Sequence, residues 1–320
     1  MRYALRRVTH GVLLLIGISM ASFVLADLAP GDFYSDLRLD PRVSEETLKA
    51  LRAEHRLDRP LPERYALWAL SAMHGDFGYS LAYHTSAGRL IGERIPATIL
   101  LTGTATVVAW LIAVPAGIFH ATRRGRWQDH GLSFLGVLAL AIPELLLAIV
   151  LLAAAVETGW LPAGGMRSPG WESLEGWGRW LDTATHLAIP VVVLAAGMIA
   201  VIERHVRTAV GEALAATFAL SARAHGVPRR RILFRQVLPA AAHPLIALFG
   251  FSLGTLLSAS LLVEVLVGWP GLGPLFLEAV FARDFAIVLG VVMVSAAALI
   301  AGNLAGDLLL YRADPRIRLR

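Results

Sequence analysis

Apolar residues run along this chain in six long blocks separated by polar stretches. The blocks cover residues 11–28, 97–119, 132–156, 186–202, 244–267 and 286–310. Most are long enough to cross a hydrocarbon core about 30 Å thick at about 1.5 Å per residue. Inside such a core each backbone N–H and C=O must be paired within its own segment, so continuous apolar runs predict helices. Spanning strands would instead show short segments of alternating polarity. The pattern predicts an all-α integral membrane protein with six transmembrane helices. Pro115 and Pro143 fall inside two of the blocks and predict a kink in each.

The first block follows Arg2, Arg6 and Arg7, a pattern shared with secretory signals. Its apolar run is long for a signal, and Asp27-Leu28-Ala29-Pro30 is a poor cleavage site. A retained first helix is expected.

Arginine placement gives the orientation, because cytoplasmic loops of membrane proteins are enriched in Lys and Arg. The N-terminus is basic, and Arg123, Arg124 and Arg126 follow the second block. Arg204, Arg207, Arg223, Arg229, Arg230, Arg231 and Arg235 follow the fourth, and Arg312, Arg316, Arg318 and Arg320 close the chain. The alternate loops are poorer: residues 157–185 set Arg167 and Arg179 against four carboxylates, and residues 268–285 hold only Arg283. With six spans all the arginine-rich ends share one side, so both termini are expected in the cytoplasm.

Composition agrees. Of 320 residues 56% are hydrophobic, and the mean hydropathy is +0.62. A net charge of +5 can signal nucleic-acid binding, but here the arginines flank apolar runs, which is the membrane pattern. The absence of cysteine excludes disulfides and thiolate chemistry.

The chain divides into a first transmembrane helix (1–28), an external segment (29–96), a five-helix core (97–311) containing a cytoplasmic loop (203–243), and a tail (312–320). In the external segment a helix is expected from an N-cap at Ser44 to about His55. A second, over 63–73, carries Tyr65, Leu67, Trp68 and Leu70 on one face. That face suits packing on the spans or docking of an external partner. In the cytoplasmic loop residues 211–225 are expected to be helical, Gly226 to end that helix, and 229–237 to form a second, basic helix after Pro228. A solvated loop that enforces topology is the alternative.

Several short stretches, in order, carry a resemblance. They are Leu28-Ala29-Pro30-Gly31-Asp32, Leu57-Asp58-Arg59-Pro60-Leu61, Gly75-Asp76-Phe77-Gly78-Tyr79-Ser80 and Arg94-Ile95-Pro96-Ala97-Thr98. Further along come Ser221-Ala222-Arg223-Ala224-His225-Gly226 with Leu238-Pro239, Glu264 through Trp269-Pro270-Gly271-Leu272-Gly273, Arg283-Asp284-Phe285, and Asp314-Pro315-Arg316-Ile317-Arg318. Together they resemble the inner-membrane permease subunits of ABC importers of the dipeptide/oligopeptide/nickel group, over nearly the whole chain. Three positions depart from that group. Leu220 stands at the acidic position of its EAA motif, Asp27 where Arg is common, and Glu144 where a small polar residue is common.

The resemblance implies a type I permease core with a coupling helix at Ser221, Ala222, Arg223, Ala224, His225 and Gly226 that sits in a groove on an ATP-binding subunit. Arg223 and the run Arg229, Arg230, Arg231 can pair with acidic groups there. It also implies a second homologous permease and an external substrate-binding protein. No cofactor is expected in this chain. The only lysine, Lys49, lies in the external segment, so no phosphate-binding loop of the Walker A type is present. ATP and Mg belong to the partner subunits. Trp269, Pro270, Gly271 and Gly273 suit an external gate or a plain turn back toward the membrane. Glu144 and Asp307 are expected at membrane depth, where ionisable groups are functional candidates. Glu144 suits the substrate pathway or a pair with a partner arginine, and Asp307 a structural pair.

A secondary transporter would show internal repeats and broken helices with polar midplane groups, and no repeat is evident here. An intramembrane enzyme would need a catalytic motif such as H-E-x-x-H or G-x-S-x-G, and neither occurs. A non-transporting membrane anchor for an ATPase remains a third reading. For cargo, peptides come first in this group, with nickel, metal chelates or other small solutes as alternatives.

Overall fold

The computed structural model describes residues 2–28, 46, 58–123 and 127–313. The expected helix after Ser44, the Ala29–Asp32 stretch and the tail motif at 314–318 lie outside these residues. In chain order the described elements begin with α1 (Arg2–Leu28), α2 (Leu61–Ala72) and a two-stranded hairpin of β1 (Tyr79–Ser80) and β2 (Thr85–Ser86). There follow α3 (Ala87–Thr122), α4 (Trp127–Ala141), α5 (Glu144–Thr158), a 3₁₀ turn at Trp171–Ser173 and α6 (Trp177–Ala215). The order ends with α7 (Thr217–Ala224), α8 (Arg229–Ile232), a π turn at Leu233–Val237, α9 (Leu238–Leu266), α10 (Leu272–Phe281) and α11 (Phe285–Ala313).

Among the described residues five helical stretches are long and apolar enough to cross a membrane: Arg6–Leu28, Ala87–Thr122, Trp177–Ala215, Arg229–Leu266 and Phe285–Tyr311. Each extends one of the apolar blocks. The block 132–156, expected as one helix, is instead divided between α4 and α5, of 15 residues each. At about 1.5 Å per residue each is about 22 Å long, short of a hydrocarbon core. The division falls at Ile142–Pro143. Pro143 has φ −59° and ψ 133°, which is extended backbone, and its carbonyl accepts from Leu147 N–H to start α5. A proline can begin a helix but cannot continue one without losing a hydrogen bond. Pro115, by contrast, lies inside α3, which continues through it.

The chain forms two compact units, Met1–Ala97 with Pro270–Ala298, and Thr98–Trp269 with Leu299–Arg320. In the first, α2 packs its aromatic face on α1. The Phe23 ring lies 5.6 Å from Tyr65 and 5.7 Å from Trp68, and Ser19 and Tyr65 share a hydroxyl hydrogen bond of 2.8 Å. Tyr65 and Trp68 therefore serve packing on a span, whereas Leu70 on the same helix and Met73 just after it are exposed. Asp27 pairs with Arg64 of α2 at 2.5 Å, so the unusual acid at the end of α1 has a partner.

The same unit ties the hairpin to the start of α11. Asp284, 2% exposed, accepts hydrogen bonds from Ser80 Oγ (2.7 Å) and the Ala82 N–H (3.1 Å). Its other oxygen faces the Ile287 N–H at 3.4 Å, the N-cap position of α11. Tyr83 donates its phenol proton to Glu278 of α10. Partial burial and that carboxylate push the Tyr83 hydroxyl up to about 12.

In the second unit α6 is the central helix, packing on α4, α5 and α9. Its inner face buries Val193, Leu194, Ile202, Val206 and Val210 completely. The Trp110 indole N–H of α3 donates to Ser252 Oγ of α9 at 3.0 Å, with Phe249 edge-on to the ring. His120 of α3, buried, pairs through Nδ1 with Glu203 of α6.

Candidate functional site

Residues 203–243, expected as a cytoplasmic loop, form a short helix set between two long ones. Residues 211–225 are not one helix as expected. Helix α6 runs to Ala215, Ala216 is extended (φ −68°, ψ 151°), and α7 begins at Thr217. No glycine or proline marks this break. It allows the buried Ala219 of α7 to pack against the end of α6.

Helix α7 ends as Gly226 predicts. The Gly226 N–H donates to Arg223 O (3.0 Å) and the Val227 N–H to Ala222 O (3.1 Å), with Gly226 at φ +77°. This pairing is a Schellman motif, and the left-handed position favours a residue without a Cβ. Pro228 then starts the next helix, and its carbonyl accepts from the Ile232 N–H. Ser221, Arg223, Ala224, His225 and Gly226 are exposed, and Ala222 is half-buried. The His225 ring Nδ1 bonds the Ser221 carbonyl at 2.8 Å. Ser221–Gly226 thus form the exposed end of α7 and its closing turn.

Arg229, Arg230 and Arg231 are all exposed. They do not belong to a separate basic helix over 229–237. Helix α8 passes through the π turn at Leu233–Val237 directly into α9, giving one apolar helical stretch over Arg229–Leu266. Buried Ile232 and Val237 hold its start to the unit, and the stretch continues through Pro239 and Pro244.

Glu144 is the first residue of α5, directly after the Pro143 break, and is exposed on this chain. Its Oε1 lies 3.7 Å from where a Cβ on Gly197 of α6 would stand. A carboxylate at a helix N-terminus is favoured by the backbone dipole, which gives Glu144 a structural role beside any role in transport. Asp307 is half-buried on α11.

Trp269 is fully buried, its N–H bonded to the Glu264 carbonyl at 2.8 Å. The Val267 carbonyl near it accepts the Gly165 N–H at 2.8 Å. Gly271 and Gly273 are buried at the start of α10, and Pro270 is half-buried. These residues form a packed turn between α9 and α10.

One feature of the second unit was missed at the level of sequence. Gly250 and Gly254 on α9, and Gly302 and Gly306 on α11, are both small-xxx-small pairs at a close helix crossing. Their four-residue spacing within apolar runs is the signal that could have found them.

Residues 113–319 match the family model described as "Binding-protein-dependent transport system inner membrane component". The oligopeptide transport system permease protein AppB of Bacillus subtilis (strain 168) is 33% identical over 317 residues, covering 98% of each chain. The dipeptide transport system permease protein DppB of Escherichia coli (strain K12) is 29% identical over 335 residues, covering 99% of each. Among solved structures, an inward-facing form of the MetNI methionine ABC transporter superposes with a TM-score of 0.51 at 20% identity, over 70% of this chain and 96% of that one. That last similarity is one of fold. Apolar spans, a membrane permease fold and full-length relatives agree: this chain belongs to the binding-protein-dependent transport system inner membrane component family, as a multi-pass permease subunit of the inner membrane.

Proposed function

We propose that this chain forms half of the translocation pathway of an ATP-driven peptide importer and receives the ATPase stroke at Ser221–Gly226. The observation that carries the coupling role is the geometry of α7: an exposed eight-residue helix closed by a Schellman turn. Such an element fits a groove on a nucleotide-binding subunit and can transmit that groove's motion to α6 before it and to α8–α9 after it. The full-length relatives named as oligopeptide and dipeptide permeases support peptide as the cargo. A second homologous permease would complete the pathway, and an external binding protein would deliver substrate. The α4–α5 pair makes the sixth crossing in this reading, leaving both termini in the cytoplasm. Glu144, at the break in that crossing, attracts the cationic end of a peptide.

The test is co-purification of the tagged chain from its native membrane, comparing wild type with Gly226→Pro. Proline at 226 removes the N–H donated to Arg223 and cannot adopt φ +77°. Wild type is expected to bring down an ATPase and a second permease, and the variant to lose the ATPase. Solute movement by the purified chain alone, without ATP, would overturn the proposal. For Glu144, Glu144→Gln should weaken uptake of peptides with a free amino terminus more than of N-acetylated ones. An equal effect of the substitution on both classes, or none on either, would remove it from the pathway.

A further inference from the structure

A cleft of about 530 Å³ opens in the second unit between the ends of α3 and α6, helix α7 and the start of α8. Most of its lining is apolar, including Ala121, Leu214, Leu220 and Ile232. The exceptions that matter are Arg223, Arg229 and Arg230, all exposed. Among the described residues no carboxylate lines the cleft, and none of these three arginines makes an ion pair. Arg231, the next residue along, is not part of the lining. One helical residue is a rotation of about 100°, so the basic run faces two ways.

The cleft has a definite depth. Ala121 and Thr122 follow Phe119, where the second apolar block ends, by two and three residues. That is about 3–5 Å past the apolar run, in the headgroup layer of a bilayer. Guanidinium groups bind phosphate oxygens through paired N–H donors. Basic pockets between spanning helices on the cytoplasmic side bind anionic headgroups for that reason. A free phosphate would need no apolar wall, whereas a lipid's glycerol and first methylenes would.

We propose that this cleft binds an anionic phospholipid, with Arg223, Arg229 and Arg230 on the phosphodiester and the apolar lining on the glycerol and upper acyl chains. The proposal rests on the placement of residues 203–243 at the cytoplasmic face and is independent of the ATPase partner. Bound lipid bridges α3, α6, α7 and α8, so the anionic content of the membrane sets how firmly the coupling turn is held.

Native mass spectrometry of the purified full-length chain, given equal amounts of phosphatidylglycerol and phosphatidylcholine, tests it. Wild type should retain phosphatidylglycerol selectively. R223Q/R229Q/R230Q should lower that retention roughly a hundredfold, about fivefold for each charge, while R231Q keeps it. Ala215→Trp fills the cleft with the charges intact and should also lose the lipid; it carries the test if the triple variant fails to fold. Equal retention by wild type and Ala215→Trp would overturn the proposal. Displacement of the lipid by millimolar inorganic phosphate would also overturn it, marking a site for free phosphate. ATPase co-purification with the wild-type chain from its native membrane reports the coupling reading separately from lipid retention by the purified chain.

Discussion

A Cβ placed on Gly250 would stand 3.1 Å from the Cα of Gly306, and one placed on Gly306 would stand 3.0 Å from the Cα of Gly250. Helices α9 and α11 therefore meet backbone to backbone, and Gly250 also faces the Gly302 carbonyl at 2.9 Å by the same measure. In lipid, where apolar surface gives helices little reason to associate, such close approach supplies van der Waals contact. Replacing Gly250 or Gly306 by Leu should destabilise the protein by about 1–3 kcal/mol through overpacking. Because both side chains would enter one crossing, the double variant should cost less than the sum. Thermal unfolding in detergent measures this; additive losses would show that the two glycines do not share a contact.

The absence of cysteine gives a clean test of the topology. Single cysteines at Ser221 and Gly159 can each be challenged with a membrane-impermeant maleimide in right-side-out vesicles. If the α4–α5 pair crosses the membrane, Gly159 is labelled from outside and Ser221 only after permeabilisation. Labelling of Ser221 from outside, with Gly159 reached only after permeabilisation, would mean that the pair dips in and returns, leaving five crossings, because α6 still separates the two positions.

Asp284 joins residues about 200 positions apart in sequence, the separation from Ser80 being 204. Asp284→Ala leaves the buried Ser80 hydroxyl and the Ala82 N–H without their acceptor and removes the α11 cap. The expected loss is about 2–4 kcal/mol, against about 1–2 kcal/mol for Ser80→Ala, which removes one donor to Asp284 and the acceptor of the Tyr83 N–H. Calorimetry or denaturant titration distinguishes the two; similar losses would reduce Asp284 to a single hydrogen bond.

Tyr83 should titrate late. Its hydroxyl is pushed from an ordinary value of 10.0 up to about 12 by partial burial and Glu278. A group raised on folding stabilises the fold below its unfolded pKa, and that contribution fades as pH climbs through the folded value. The stability that the protonated phenol contributes is thus full below about pH 10 and is lost across the window to about 12, where the folded-state phenol ionises. Absorbance titration of tyrosinate should show one late component absent from Tyr83→Phe. A Tyr83→Phe curve identical to wild type would contradict the assignment.

Much of this molecule is legible in the chain because lipid imposes one rule: apolar blocks must be helical. That rule places α1, α3, α6, α9 and α11, and Gly226 before Pro228 places the end of α7. What escapes it depends on partners far away in sequence. Ala216 breaks a helix with no breaker residue, so that Ala219 can pack. Pro143 begins a helix where a kink within one was expected. Arg230 and Arg231 are chemically alike, and only the rotation of α8 puts one in the cleft and leaves the other out. The hydrogen bonds of Asp284 cross most of the chain, which no local pattern records.

The π turn at Leu233–Val237 sets an angle. A π turn is an α-helix with one residue too many, wound into a single wider loop. Removing one residue there would leave the apolar stretch of α9 unbroken while turning everything before it by about 100°. In a lineage of such permeases, a single-codon insertion or deletion at this place would act as a phase adjustment. It would present a different side of the arginine run to whatever lies beneath, without disturbing the span that lipid has selected.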